Sequence, residues 1–423
     1  MVKNASELIT LRGKSLRPAR KEELRELEII EDGAVAINEG RIVAVDKSSK
    51  IEQRFKAEET LSAHGKTVMP GFVDPHTHLV FAGSREEEFE LRIKGSTYME
   101  ILAEGGGILK TVRETREASK DQLLELGKGR LNQMLKHGTT TVEAKSGYGL
   151  NVDTEIKCLK AANELDQGHP VDVVSTFLGA HAIPPAYTDQ ENEYVNLVVD
   201  RMIPEVADQE LAEFCDVFCE QGVFTVEQSR RILLEGKKQG LAPKIHADEM
   251  TSFGGAELAA EVGAVSAEHL LHSSETGLKA MATRNVVAVL LPTASFTLMG
   301  GNFADARRLI QLDLPIALGT DFNPSCWVEN MQLAIAFACR QMHLTPSEAV
   351  TASTINAAHA VARAKEVGSL EPGKKGDLVI LSVPNHKFLG YRFGVNLVET
   401  TIKEGRIVSG CANGLCEGLS EKP

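Results

Sequence analysis

The stretch Pro70-Gly71-Phe72-Val73-Asp74-Pro75-His76-Thr77-His78 closes a strand-like apolar run on two histidines one residue apart. Side chains alternate along an extended segment, so His76 and His78 point to the same side and both imidazoles reach one ion. An isolated His-x-His is more often a pair of satisfied histidines than a metal site, so its surroundings decide. Counting 67–73 as the first, strand-like runs recur at 139–144, 171–178, 212–218, 243–247, 264–268, 286–291 and 315–319, eight in all. Eight parallel strands close a barrel whose C-terminal rim carries the active site. His246 ends the fifth run, His269 ends the sixth, and Asp321 follows the eighth in Leu318-Gly319-Thr320-Asp321. Separate arrivals of these groups at one rim predict a metal centre.

Helix signals fill the spaces between those runs. Ser119-x-x-Gln122 and Thr225-x-x-Gln228 are capping boxes, closed by Gly138 and Gly240, and Thr345-Pro346-Ser347-Glu348 combines an N-cap, an N1 proline and an N3 glutamate. Outside the middle of the chain the texture changes to short strands. Residues 33–37 and 41–46 flank Asn38-Glu39-Gly40 as a hairpin, and 377–381, 398–402 and 403–408 look alike at the other end. The expected organisation is a (β/α)8 TIM barrel over 66–365 and a small β-sandwich built from both termini, 1–65 plus 366–423. A doubly wound sheet is disfavoured because no Gly-x-Gly-x-x-Gly fingerprint occurs.

Composition narrows the function. The 423 residues carry 46 Lys+Arg against 59 Asp+Glu, a formal charge of −13, which argues against a nucleic-acid partner. No apolar run reaches membrane-spanning length, and Met1-Val2-Lys3-Asn4-Ala5 opens without a signal-peptide core, so no membrane and a cytoplasmic location are expected. The seven scattered cysteines read as reduced thiols, and Cys215-x3-Cys219 as a structural pair. The helical surplus at 334–338 suggests a homodimer. The absence of a P-loop and of a serine elbow removes nucleotide hydrolysis and acyl-enzyme routes.

Together, the Pro-Gly-Phe-Val-Asp-Pro-His-Thr-His segment, the strand-end histidines and the strand-eight aspartate resemble the amidohydrolase superfamily over the whole chain. Within it, Phe81-Ala82-Gly83-Ser84-Arg85, Ala144-Lys145-Ser146-Gly147-Tyr148-Gly149, Phe177-Leu178-Gly179-Ala180-His181, His246-Ala247-Asp248-Glu249 and Thr320-Asp321-Phe322-Asn323-Pro324 resemble the imidazolonepropionases. The resemblance implies one divalent metal, Zn2+ or Fe with zinc slightly preferred, on His76, His78, His246 and Asp321. Such a donor set leaves room for a water whose pKa the ion lowers toward ~7. It further implies hydrolysis of the cyclic amide of 4-imidazolone-5-propanoate, with Glu249 shuttling a proton to the leaving nitrogen. His269 polarises the carbonyl or orients the water, and either Asp321 or His269 takes the water's proton.

The substrate is a small anion, so recognition needs a cation, and Arg85 is the bidentate fork for its carboxylate. Tyr148, His181, Asn323, Ser325 and Cys326 complete the expected contacts. Ser325-Cys326 departs from the Gly followed by Thr or Ser that the resemblance predicts, which puts the hydroxyl contact at Cys326 in doubt. His272 reads as structural, and Lys145 comes too early in strand order to be a carboxylated metal bridge. Two other readings compete: a superfamily deaminase of aromatic bases, and a scaffold that has lost its metal. Arg85 argues against the first, and the intact His76, His78, His246 and Asp321 against the second.

Overall fold

A computed structural model describes residues 1–96, 100–101, 105–299, 301–412 and 415–417, with side chains through Gly410. Both termini build a pair of sheets. β1 (Val2–Ala5), β4 (Gly33–Asn38), β5 (Arg41–Lys47) and β6 (Leu61–Ser62) form the first, in the order β5-β4-β1-β6. The second runs β19-β18-β17-β16-β7-β2-β3. It joins β2 (Glu7–Ile9), β3 (Ile29–Ile30) and β7 (Thr67–Pro70) to β16 (Leu378–Leu381), β17 (Val398–Lys403), β18 (Arg406–Ala412) and β19 (Leu415–Glu417). Val2, Val35 and Ile42 of one sheet share an apolar core with Leu8, Val68, Leu378, Ile380 and Ile402 of the other. The expected hairpin is β4–β5, with Gly40 at φ +75° in its turn.

The run 67–73 is not one strand. β7 pairs with β16 and β2, whereas the first barrel strand, β8, covers only Phe72–Asp74. Gly71 separates them and could not carry a side chain, because a Cβ there would stand 2.3 Å from Thr140 Oγ1. Both halves of the run are fully buried, so the apolar pattern continues while the partner sheet changes.

Seven further strands complete the barrel: β9 (Thr139–Lys145), β10 (Asp172–Ala180), β11 (Phe214–Cys219), β12 (Ala242–Ala247), β13 (Ser266–His269), β14 (Val287–Leu290) and β15 (Ile316–Leu318). Neighbours pair in parallel from β8 through β15. The seam between β15 and β8 is stitched just past the strand ends. Asp321 N donates to His76 O at 3.0 Å, and His78 N donates to Phe322 O at 2.8 Å.

Each expected capping box is formed. Ser119, Thr225 and Thr345 accept from the N3 amides of the helices Lys120–Lys136, Val226–Lys238 and Pro346–Ala352, and Gln122, Gln228 and Glu348 reach back. The helix Met331–Gln341 overturns one expectation, since Ala334, Ala336 and Ala338 are buried inside this chain. Their small side chains let the helix pack closely into the core, so of the 334–338 run only Phe337 reaches the surface, where it stacks on Phe296. Cys215 and Cys219 are buried free thiols on β11. Among the described residues no helix is long and apolar enough to cross a membrane.

Candidate active site

The C-terminal ends of the barrel strands surround a cavity of about 190 Å³. It is lined by His78, Arg85, Tyr148, His181, His246 and Glu249 on one side of the sequence and by His269, Asp321, Asn323, Ser325 and Cys326 on the other. Every residue singled out from the sequence therefore meets here, except that His76 lies fully buried just beneath. A larger cavity of about 260 Å³ lies elsewhere, beside Asp172, where both cations of the lining are already paired, Lys375 with Asp172 and Arg363 with Glu213. Convergent polar groups, not size, mark the functional cavity.

Two overlapping groups, His76–His78–His246 and His76–His269–Asp321, hold potential ligand atoms within 4.8 Å of one another. His76 Nε2 and His78 Nε2 lie 3.4 and 3.6 Å from Asp321 Oδ1. A tetrahedral ion with bonds of about 2.0–2.1 Å would set its ligands about 3.4 Å apart, so these separations suit one cation. Burial holds both imidazoles well below their usual pKa, with Lys145 and His181 among the neighbours adding to it, so they stand neutral with lone pairs available. The nitrogens of His76 and His246 and Nδ1 of His78 are buried without hydrogen-bond partners, His246 Nδ1 having only the near approach of Asp216 Oδ2 at 3.0 Å, a costly state that a divalent cation relieves at the ligating nitrogens. His269 (φ +71°) and Asp321 (φ +51°) sit in the left-handed region, a strain of roughly 1–3 kcal/mol each that the fold spends in aiming them.

Glu249 and His269 face each other, Oε2 to Nε2 at 3.6 Å. Burial pushes the Glu249 carboxyl up to about 7 and Asp321 up to about 6, while burial drives His269 down to about 3. The Glu249 loop is pinned by one carboxylate from outside the motif and one within it. Glu220 accepts from Met250 N at 2.8 Å, and Asp248 accepts from the amides of Phe253, Gly254, Gly255 and Ala256.

On the opposite wall the Arg85 guanidinium bonds hydroxyls instead of a carboxylate: Nε donates to Thr111 Oγ1 at 2.9 Å and Nη1 to Ser325 Oγ at 2.7 Å. Tyr148 is buried against His78 and His181, and His181 Nδ1 donates to Gly147 O, turning Nε2 away from that carbonyl. Asn323 turns inward. Its amide donates to Asp321 Oδ1 at 3.0 Å and its oxygen accepts from Ser325 N and Cys326 N, so it steadies the aspartate. The Cys326 thiol points at Thr320 O, 3.5 Å away, in place of the hydroxyl contact that family resemblance predicts.

Residues 67–408 match the model of the amidohydrolase family. The chain belongs to the amidohydrolase family. Its curated relatives include the imidazolonepropionases of Geobacillus kaustophilus, 56% identical over 96% of this chain and 97% of that one, and of Clostridium tetani, 48% identical over the same shares. Among solved structures, an adenosine deaminase from Xanthomonas campestris with bound zinc superposes at a TM-score of 0.72 and 19% identity, covering 99% of this chain and 94% of that one. E. coli guanine deaminase gives 0.72 at 16% identity, covering 97% and 98%. At such identities these two establish the shared fold. A divalent metal centre goes with the family and with the ligand cluster.

Several supporting residues of this amidohydrolase escaped sequence reasoning. Glu155, buried in the helix Val152–Gly168, accepts from Gly147 N, Gly149 N and Leu150 N and so holds the loop that carries Tyr148. Thr111 and Glu220 sit far in sequence from what they orient. Only Asp248, inside His246-Ala247-Asp248-Glu249, lay within a quoted motif.

Proposed function

We propose that this amidohydrolase opens the ring of 4-imidazolone-5-propanoate, adding water across a cyclic C–N bond to give N-formimidoyl-L-glutamate. The observation that carries this reading is a buried arginine, held by two hydroxyls, lining the cavity that holds the cation ligands. Relatives at 48–56% identity over nearly the full chain bear the name of that activity. A neutral aromatic base would offer nothing to pair with Arg85, which disfavours deamination.

His76, His78, His246 and Asp321 would hold the cation, with Zn2+ the first choice and Fe the second. When bound, a divalent cation supplies Lewis-acid activation of the attacking water at neutral pH. Asp321, a carboxylate beside the imidazole ligands, accepts the water's proton in this reading, with His269 the alternative acceptor. His269, neutral, donates a hydrogen bond to the attacked carbonyl oxygen. Glu249 carries a proton to the departing ring nitrogen, a task that suits a carboxyl poised near neutrality. Arg85 binds the propionate, with Ser325 and Thr111 orienting the guanidinium, and Tyr148 and His181 bound the ring.

The test is turnover of 4-imidazolone-5-propanoate by purified protein, with metal content measured on the same sample. Loss of substrate with about one equivalent of Zn or Fe is expected, and inactivity of the metal-replete protein overturns the reading. A second copy of the chain is proposed as partner, on the exposed side chains of Phe296, Tyr391 and Phe393. Sedimentation equilibrium decides this, and a monomer at micromolar concentration refutes it.

A further inference from the structure

Beneath the metal-ligand cluster the barrel interior is charged where such interiors are usually filled by branched apolar side chains. Glu143 and Lys145 on β9, Asp216 on β11, Lys244 on β12 and Glu268 on β13 are all buried at 0–1% exposure. Burying so many charges is costly unless each has a defined task or partner. Lys244 is held by Glu143 at 2.7 Å, and Glu268 by the Ser266 hydroxyl at 2.5 Å. Asp216 is different, because one of its oxygens faces a cation ligand. Its Oδ2 lies 3.0 Å from His246 Nδ1 and 2.7 Å from Lys145 Nζ, while Oδ1 accepts from Val217 N at 2.7 Å.

An imidazole ligates through the nitrogen that carries no proton, so the proton of His246 must sit on the other one. An ionised carboxylate can only accept. We propose that Asp216 is a positioning residue that fixes the His246 proton on Nδ1 and thereby leaves the Nε2 lone pair to the cation. Lys145 keeps the carboxylate in place and adds stability, but it does not choose the tautomer. The proposal rests on His246 being a ligand, which His246→Ala tests separately through loss of metal from a folded protein.

The variant Asp216→Asn is informative because the amide has one oxygen for three donors, Val217 N, Lys145 and His246. Val217 N stands on one side of the group and Lys145 with His246 on the other: when Val217 N claims the oxygen, the NH2 group faces Nδ1 and favours the non-ligating tautomer, and when Lys145 keeps it, the acceptor beside Nδ1 has lost its charge. Zn2+ affinity, measured by competition with a chromophoric chelator, is expected to fall about 10–100-fold, and the visible d–d bands of the Co2+-loaded protein to change. Lys145→Met is expected to lower Tm yet hold Zn2+ within about threefold of wild type. The double variant Asp216→Asn with Lys145→Met is expected to bind Zn2+ more weakly than Asp216→Asn alone, since Lys145 no longer holds the amide oxygen on the side of His246.

Wild-type affinity in Asp216→Asn overturns the proposal, and so does a loss in Lys145→Met as large as that in Asp216→Asn. Where Asp216→Asn does not fold, the double variant is compared with Lys145→Met, and equal affinities overturn it. Neutron diffraction of the Zn2+-loaded wild type gives a reading that needs no variant. Deuterium on His246 Nδ1 toward Asp216 is expected, and deuterium on Nε2 or on the Asp216 carboxyl refutes the assignment.

Discussion

Arg85→Ala separates recognition of an anion from the chemistry beside it. The protein carries a formal charge of −13, so its overall field repels an anionic substrate and binding has to come from a local cation shielded from water. Arg85 meets that need at 8% exposure. Thr111 takes Nε and Ser325 takes one donor of Nη1, which leaves the Nη2 side of the guanidinium for a carboxylate. A hydrogen bond to a charged group contributes about 1.5–3 kcal/mol. At about 1.4 kcal/mol per tenfold, Arg85→Ala therefore costs roughly 10–150-fold in kcat/KM. Arg85→Lys recovers only part, since an ammonium cannot bond Thr111, Ser325 and the substrate in one plane. The assay compares 4-imidazolone-5-propanoate with its neutral propionamide analogue on both proteins. Wild type should discriminate strongly and Arg85→Ala hardly at all. Equal discrimination by the two would refute the assignment of Arg85 to the carboxylate.

Other outcomes follow from the same site. His76→Ala and His246→Ala should lose metal and activity together while wild type holds one ion per chain, and two tightly bound ions would contradict a single ion shared by these overlapping groups. Glu249→Gln should keep its metal while kcat falls about 100-fold or more; a change confined to KM would make Glu249 a binding residue. The pH profile carries a sign. Burial raises the Glu249 carboxyl to about 7 and a bound cation lowers it again, and Glu249 acts by giving up a proton, so the limb where kcat/KM falls with rising pH should have an apparent pKa no higher than about 7 and should vanish in Glu249→Gln. Glu155→Ala strands three amides at about 1–3 kcal/mol each if water does not reach them, so calorimetry should show a clear loss of Tm and kinetics a raised KM through the Tyr148 loop.

What was legible in the sequence is what local pattern encodes. The three capping boxes and the β4–β5 turn are written in residues a few positions apart, and the strands recur because each βα unit repeats one apolar run and one amphipathic helix. The convergence of the candidate ligands was legible because the histidines and Asp321 stand at or just past strand ends, where a barrel gathers them without further information. The break at Gly71 was not, since both sides of it are buried and periodicity carries no record of which sheet a strand joins. Residues that orient others were invisible for a related reason. Thr111 to Arg85, Glu155 to the Tyr148 loop and Asp216 to His246 are pairings between elements, and a lone Thr, Glu or Asp reads as a solvated side chain until the fold buries it.

The seam of the barrel explains why ligand geometry and fold stability are linked here. β15 and β8 share no regular ladder, and what joins them is the exchange between Asp321 N and His76 O and between His78 N and Phe322 O. Three of the four proposed ligands thus belong to residues whose backbones close the barrel. Asp74 ties the same seam from below, accepting from Thr320 N at 3.0 Å and from its hydroxyl at 2.5 Å, with its own carboxyl pushed up to about 7 by burial. A cation held by His76, His78 and Asp321 would pull on the two strands that the ladder leaves unpaired. Its binding energy would therefore add to closure as well as to catalysis, as expected when a ligand binds the folded form alone. The same coupling accounts for the strained φ of Asp321: the residue must hand its amide across the seam while turning its carboxylate back toward the histidines, and an ordinary extended backbone cannot do both.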